Sequence, residues 1–153
     1  MKHRKILPLI LFLATMAFAS CKNQDLPTNA TVKYGTSFGM CVGYCQRELS
    51  INGTQATLSL RKNGTNAEQK SCKKQIDEAT LTALKSKIDI ASLNKLPDVI
   101  GCPDCADGGA EFVEVTSNGK TKRITFEYGR APAELKELVD QLKPIFHSLG
   151  DCN

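Results

Sequence analysis

Apolar and polar positions alternate along most of this chain and switch to a helical spacing twice. Thr31 to Phe38 is expected to form a short strand, broken at Gly35. Residues 46–62 read as a hairpin, because Asn52-Gly53 lies between β-compatible runs and both residues of such a turn need positive φ. With that pair as the turn, Ile51 faces Thr54, Leu49 faces Ala56 and Cys45 faces Leu60 on a mostly apolar face that Arg47 and Leu58 share. Asn63-Gly64 marks another turn, and residues 67–75 can add a strand containing Cys72. Residues 110–128 form the clearest hairpin, with Asn118-Gly119 as its turn, Val113 opposite Ile124 and Glu111 opposite Phe126. The other face pairs Glu114 with Arg123 and Phe112 with Thr125, as expected of an antiparallel sheet with one buried side.

The helical stretches follow the hairpins. Asp77 is a good N-cap, and Leu81, Leu84 and Ile88 recur at helical spacing, which predicts a helix over 78–89. Pro132 suits the first turn of a second helix, with Leu135, Leu138, Val139, Leu142, Ile145, Phe146 and Leu149 as its stripe. Pro144 is expected to kink or end that helix near Lys143, and Gly150 suits its C-terminal cap. Between the helices, residues 90–109 have no period and hold two prolines, three glycines and two cysteines. A loop of that length is usually functional or disordered, and the cysteines argue that it is pinned. The expected architecture over residues 31–153 is a single α+β domain: an antiparallel sheet of about four to six strands, two amphipathic helices on one face, and disulfide staples.

The N-terminus carries an address. Residues 1–20 have a basic head, Met1-Lys2-His3-Arg4-Lys5, and an apolar run from Ile6 to Ala19 too short to span a bilayer. The sequence Phe18-Ala19-Ser20-Cys21 resembles the lipobox of bacterial lipoproteins, with Phe18 where Leu is more usual. The resemblance implies that Cys21 carries a diacylglycerol and becomes the first mature residue. Two or more acyl chains are needed for firm anchoring. Residues 21–30 are polar and read as a tether. The expected location is exported and lipid-anchored, at the cell membrane or outer membrane, facing periplasm or cell surface. The expected partners are membrane lipid through Cys21 and an unidentified envelope protein or ligand.

Loss of the signal changes the charge. Lys2, Arg4 and Lys5 leave with it, which takes the formal net charge from +4 to about +1. The remaining charges are mixed, so no nucleic-acid footprint is present and no nucleic-acid partner is expected.

Of seven cysteines, Cys21 belongs to the lipid. The other six, Cys41, Cys45, Cys72, Cys102, Cys105 and Cys152, are an even set in an exported chain and suggest three disulfides. Fifteen pairings are possible, and the one favoured is Cys45–Cys72, Cys102–Cys105 and Cys41–Cys152.

Catalytic chemistry is sparse. His147 is the one histidine left after the signal, on the last helix, where capping or partial burial explains it. Histidine-based triads and multi-histidine metal sites are therefore excluded within one chain. Cys102-Pro103-Asp104-Cys105 has the spacing of thioredoxin-like oxidoreductases, but Ala106-Asp107-Gly108-Gly109 breaks a helix instead of opening one. Asp98, Asp104 and Asp107 mark a candidate binding loop; their spacing is not that of an EF-hand, and turn chemistry explains Asp107. Glu111 falls on the apolar face of its hairpin, where a buried carboxylate is either functional or at a sheet edge beside a lysine. No phosphate loop, dinucleotide fingerprint, nucleophile elbow or zinc motif occurs, and neither a cofactor nor a metal is expected.

The stretch Tyr34-Gly-Thr-Ser-Phe-Gly-Met-Cys-Val-Gly-Tyr-Cys45, and later Cys102-Pro-Asp-Cys-Ala-Asp-Gly-Gly109 before a hairpin and helix, resemble a family of small bacterial lipoproteins with a domain of unknown function. That resemblance implies no activity and no catalytic residue. The functional expectation is a non-catalytic binding or inhibitor-like envelope module, with Leu96–Gly109 and Gly39–Tyr44 as contact patches. The alternative is a thiol–disulfide oxidoreductase using Cys102 and Cys105.

Overall fold

The computed structural model describes residues 30–150 and Cys152. The signal peptide, Cys21 and residues 22–29 of the expected tether lie outside the described residues. Seven strands are formed: β1 (Thr31–Ser37), β2 (Gln46–Asn52), β3 (Gln55–Arg61), β4 (Gln69–Gln75), β5 (Val99–Ile100), β6 (Ala110–Ser117) and β7 (Lys120–Glu127). Three helices accompany them: α1 (Glu78–Lys85), α2 (Ile90–Leu93) and α3 (Ala133–Ser148). The strands make one sheet in the order β4-β3-β2-β1-β6-β7-β5.

This corrects the expected architecture. The sheet has seven strands, not four to six, and it is mixed, because β5 runs parallel to β7 while every other pair is antiparallel. Among the described residues there are three α-helices, not two. The reason lies in residues 90–109, where elements of two and four residues are too short to show a period. Asp89 opens α2 by accepting the N–H groups of Ala91 and Ser92, which also explains why α1 stops at Lys85, short of residue 89.

Inward rows of side chains build the core. Leu58, Leu49, Tyr34, Val113 and Ile124 are paired neighbours across β3, β2, β1, β6 and β7, and all are buried. Leu81 and Leu84 of α1 and the stripe of α3 join the same core. The ring of Phe146 meets Tyr34 edge-on at 5.2 Å. Of the two outcomes expected at Pro144, the helix does not end there: α3 continues to Ser148, and Gly150 follows its end with φ +56° as expected. Leu142, Ile145 and Phe146 are buried around Pro144, and each is worth about 1.5–3 kcal/mol, which together exceeds the ~3 kcal/mol cost of an interior proline.

The β6–β7 hairpin has the expected register, Val113 opposite Ile124 and Glu114 opposite Arg123. The β2–β3 hairpin does not. Asn52 pairs with Gln55, so Gly53-Thr54 is the turn, and Leu49 faces Leu58 in place of Ala56. The slip keeps every side chain on its expected face, because the side-chain period of a strand is two.

Three cysteine pairs lie at disulfide distance: Cys41–Cys45, Cys72–Cys152 and Cys102–Cys105, with Cα separations of 5.7, 5.3 and 5.5 Å. Only the last matches the favoured pairing. Cys45 lies just before β2, close enough to close its own turn on Cys41. Cys72 points from β4 toward the end of α3, beside Leu149, and meets Cys152 there.

Candidate functional site

The two ends of the sheet differ. At one end lie the turns at 53–54 and 118–119 and the start of β1, next to Ala30. At the other end lie loops 38–45, 62–68, 101–109 and 128–132. Two of these loops are closed on themselves by Cys41–Cys45 and Cys102–Cys105.

Asp104 joins them. Its Oδ2 accepts the N–H of Gly39 at 3.0 Å, and its Oδ1 accepts that of Gly109 at 3.1 Å. Its own N–H donates to the Gly109 carbonyl at 3.0 Å. Asn63 Nδ2 donates to the carbonyls of Phe38 and Gly39, each at 2.9 Å, so loop 62–68 is tied in as well. The Phe38 and Tyr128 rings meet at 5.0 Å. Gly109 has φ +78°, and a Cβ there would collide with the Phe38 ring, so this junction requires glycine. Beyond it, Met40 and Val42 stand exposed, Met40 at 75% and Val42 fully.

The predicted aspartates are not brought together. Asp98 pairs with Lys122 Nζ at 2.6 Å, beside β5. Asp104 is a strut with both oxygens engaged. Asp107 is exposed in loop 101–109. Among the described residues no group of three or more His, Cys, Asp or Glu side chains is placed to hold a metal.

Cys102 and Cys105 are both exposed and border a cleft of about 310 Å³ with Glu127, Tyr128 and Arg130. The Cys102 N–H donates to Glu127 Oε1 at 3.0 Å, and Glu127 Oε2 pairs with Arg130 at 3.0 Å. Only a three-residue 3₁₀ turn follows. A thiolate is stabilised by a helix N-terminus or a cation, and here a carboxylate occupies the nearest amide.

Glu111 is buried on the core face, not at an edge. Its Oε1 receives the Gly129 N–H and the Lys143 ammonium, each at 3.1 Å. The Tyr34 hydroxyl is beside it; burial first, and then the carboxylate, push the tyrosine pKa well above its usual value. The pair ties the β7–α3 connection to α3 and is closed to substrate. His147 is exposed at the last turn of α3, edge-on to Phe146 at 5.4 Å.

Asn63 as a tie escaped the sequence reading, with no signal beyond a turn dipeptide. On the solvent face of the sheet the expected Glu114–Arg123 pair forms at 2.8 Å, and Lys33, which the sequence reading did not single out, extends it by meeting Glu48 and Glu114 at 3.2 and 3.3 Å.

No family model and no curated protein matches the chain.

Proposed function

We propose that the protein is an exported, lipid-anchored envelope module that binds a partner without catalysis, through the loop end of its sheet. The observation that carries this reading is the Asp104 strut, which couples two disulfide-closed loops and holds Met40 and Val42 out to solvent. Position fits this reading: Ala30 enters the sheet at the end opposite the loop end, so a lipid at Cys21 would be attached nearest the turn end. The membrane part is tested separately: Cys21→Ser should lose lipid labelling and membrane fractionation, and retention of both would refute it.

The second reading, a thiol–disulfide oxidoreductase, is favoured by the exposure of Cys102 and Cys105 beside a cleft. Glutathione-coupled insulin reduction separates the two. The binding reading expects no turnover by the wild type. Turnover that disappears in Cys102→Ser/Cys105→Ser would establish the oxidoreductase instead.

A further inference from the structure

The two edges of the sheet differ. β5 closes one with two residues. β4 forms the other over seven residues, with no neighbour on its outer side among the described residues. The Lys62 N–H donates to the Glu68 carbonyl at 3.0 Å, and the Ile76 N–H donates to the Thr54 carbonyl at 2.9 Å. Bonded pairs alternate in an antiparallel ladder, so Lys70, Cys72 and Lys74 carry the bonds to β3. The N–H and C=O groups of Gln69, Ser71, Lys73 and Gln75 therefore point outward, and none has a partner among the described residues. Their spacing, every second residue, is that of a strand, and such an edge is a template for one more.

The side chains along this edge carry one sign of charge. Lys70 and Lys74 lie on the helix side, in register with Leu60 and Ala56, and Lys73 lies on the open face. β4 itself holds no acidic residue. The acids at its two ends are engaged elsewhere: Glu68 by Lys62 at 2.6 Å and by Tyr44, and Asp77 by the Thr80 N–H at 2.6 Å. Lys70 rests on the Tyr44 ring at 5.1 Å, beside Glu68. Lys73 and Lys74 form no ion pair among the described residues, and Lys74 reaches only the Ser148 hydroxyl, at 3.2 Å.

We infer that the β4 edge binds an extended acidic segment of a partner protein, which adds a strand to the sheet and sets its carboxylates beside Lys73 and Lys74. Main-chain bonds supply the attachment in this mode of recognition. Charge selects the occupant. In the register that overlaps two copies of β4 completely, Lys70 falls opposite Lys74 at both ends, and like charges directly opposite destabilise a pair. Edge lysines thus keep copies of this chain apart. The same field attracts a strand rich in Asp or Glu. Residues 22–29 of this chain do not fit, because Lys22 cancels Asp25 and Pro27 cannot donate to a ladder.

The test titrates the mature lipoprotein in detergent with the end-blocked heptapeptide Thr-Glu-Glu-Val-Thr-Glu-Thr, read by NMR. Antiparallel to β4, it sets glutamates opposite Lys74, Lys73 and Lys70 and valine opposite Cys72. One control peptide has glutamine for every glutamate. The other is N-methylated at its third and fifth residues, whose amides would face Lys73 and Ser71. Saturable binding of the acidic peptide is expected, at least about tenfold tighter than either control. Amide exchange at Ser71 and Lys73 should slow on binding, while Lys70, Cys72 and Lys74, already bonded to β3, change little. Lys73→Gln/Lys74→Gln should weaken binding by about tenfold or more. Ser71→Pro should abolish it and leave the melting temperature near wild type, because the lost N–H points away from β3. The N-methylated peptide makes the same test without altering the protein. Met40→Ser/Val42→Ser should leave binding unchanged, which separates this edge from the loop end. Absence of saturable binding, equal affinity for either control peptide, or full affinity in Lys73→Gln/Lys74→Gln would each overturn the inference. A wild-type dimer that Ser71→Pro dissociates would also overturn it, by giving the edge to a second copy.

Discussion

The two ends of the sheet solve different problems with the same strands. At the turn end, β2–β3 and β6–β7 are closed by two residues each, and nothing projects. At the loop end, three long connections are fixed mainly by local ties: a disulfide anchored on the buried Cys45, a second, exposed disulfide, and hydrogen bonds accepted by Asp104 and donated by Asn63. Ordered loops lose less entropy on contact with a partner.

Removing the disulfides one at a time should separate the core from the loop end. Cys72–Cys152 spans 80 residues, whereas Cys41–Cys45 and Cys102–Cys105 span 4 and 3. In the loop-closure description, the long bridge contributes about 4.5 kcal/mol and each short one about 2. Denaturant melts of Cys72→Ser/Cys152→Ser should show the largest loss of any variant considered. An equal loss from Cys41→Ser/Cys45→Ser would mean that the loop end is part of the core after all. Asp104→Ala should cost about 1–2 kcal/mol, since hydrogen bonds from two backbone amides to a partly exposed carboxylate are lost. Its distinctive effect should be faster amide exchange at Gly39 and Gly109, with the turn end unchanged.

Two tyrosines report on the same contrast at alkaline pH. Tyr34 is neutral and buried in the fold but ionises freely once unfolded, so the unfolded state holds fewer protons above the ordinary tyrosine value. Stability is intact below about pH 10 and falls by about 1.4 kcal/mol per pH unit above it, a component that Tyr34→Phe removes. Tyr44, at the loop end, is exposed; its hydrogen bond to Glu68 raises its pKa. Absorbance at 295 nm should show Tyr44 ionising in the folded protein and Tyr34 only with unfolding. The smallest stability effect belongs to Met40→Ser/Val42→Ser, expected within about 0.5 kcal/mol of wild type by thermal melting, because neither side chain packs.

Legibility in the sequence followed the range of the interactions. The β6–β7 register was readable because Asn118 and Gly119 both take positive φ, as the turn dipeptide demands. At Asn52-Gly53, only Gly53 has positive φ, and the hairpin slides by two in its pairing. Hydrophobic alternation cannot detect that slide, since Leu58 and Ala56 lie on one face. β5 was invisible because its pairing with β7 is made by two residues. The Cys72–Cys152 pair joins residues 80 apart through the packing of α3 beside β4, which no local pattern in the sequence encodes. The bond from Gly39 to Asp104 joins polar residues 65 apart, with no periodicity to announce it. Both cysteine motifs of the candidate site were legible, but not the strut that makes them one surface.

The loop-end contact is tested most directly by placing a photo-crosslinking amino acid in turn at Val42, Cys-free Gly108 and, at the turn end, Asn118, with the lipoprotein in its own envelope. Positions 42 and 108 should yield the same discrete adduct, lost on adding Met40→Asp, while position 118 yields none. An adduct at 118 alone, or adducts of equal strength at all three positions, would contradict the assignment of the contact surface to the loop end.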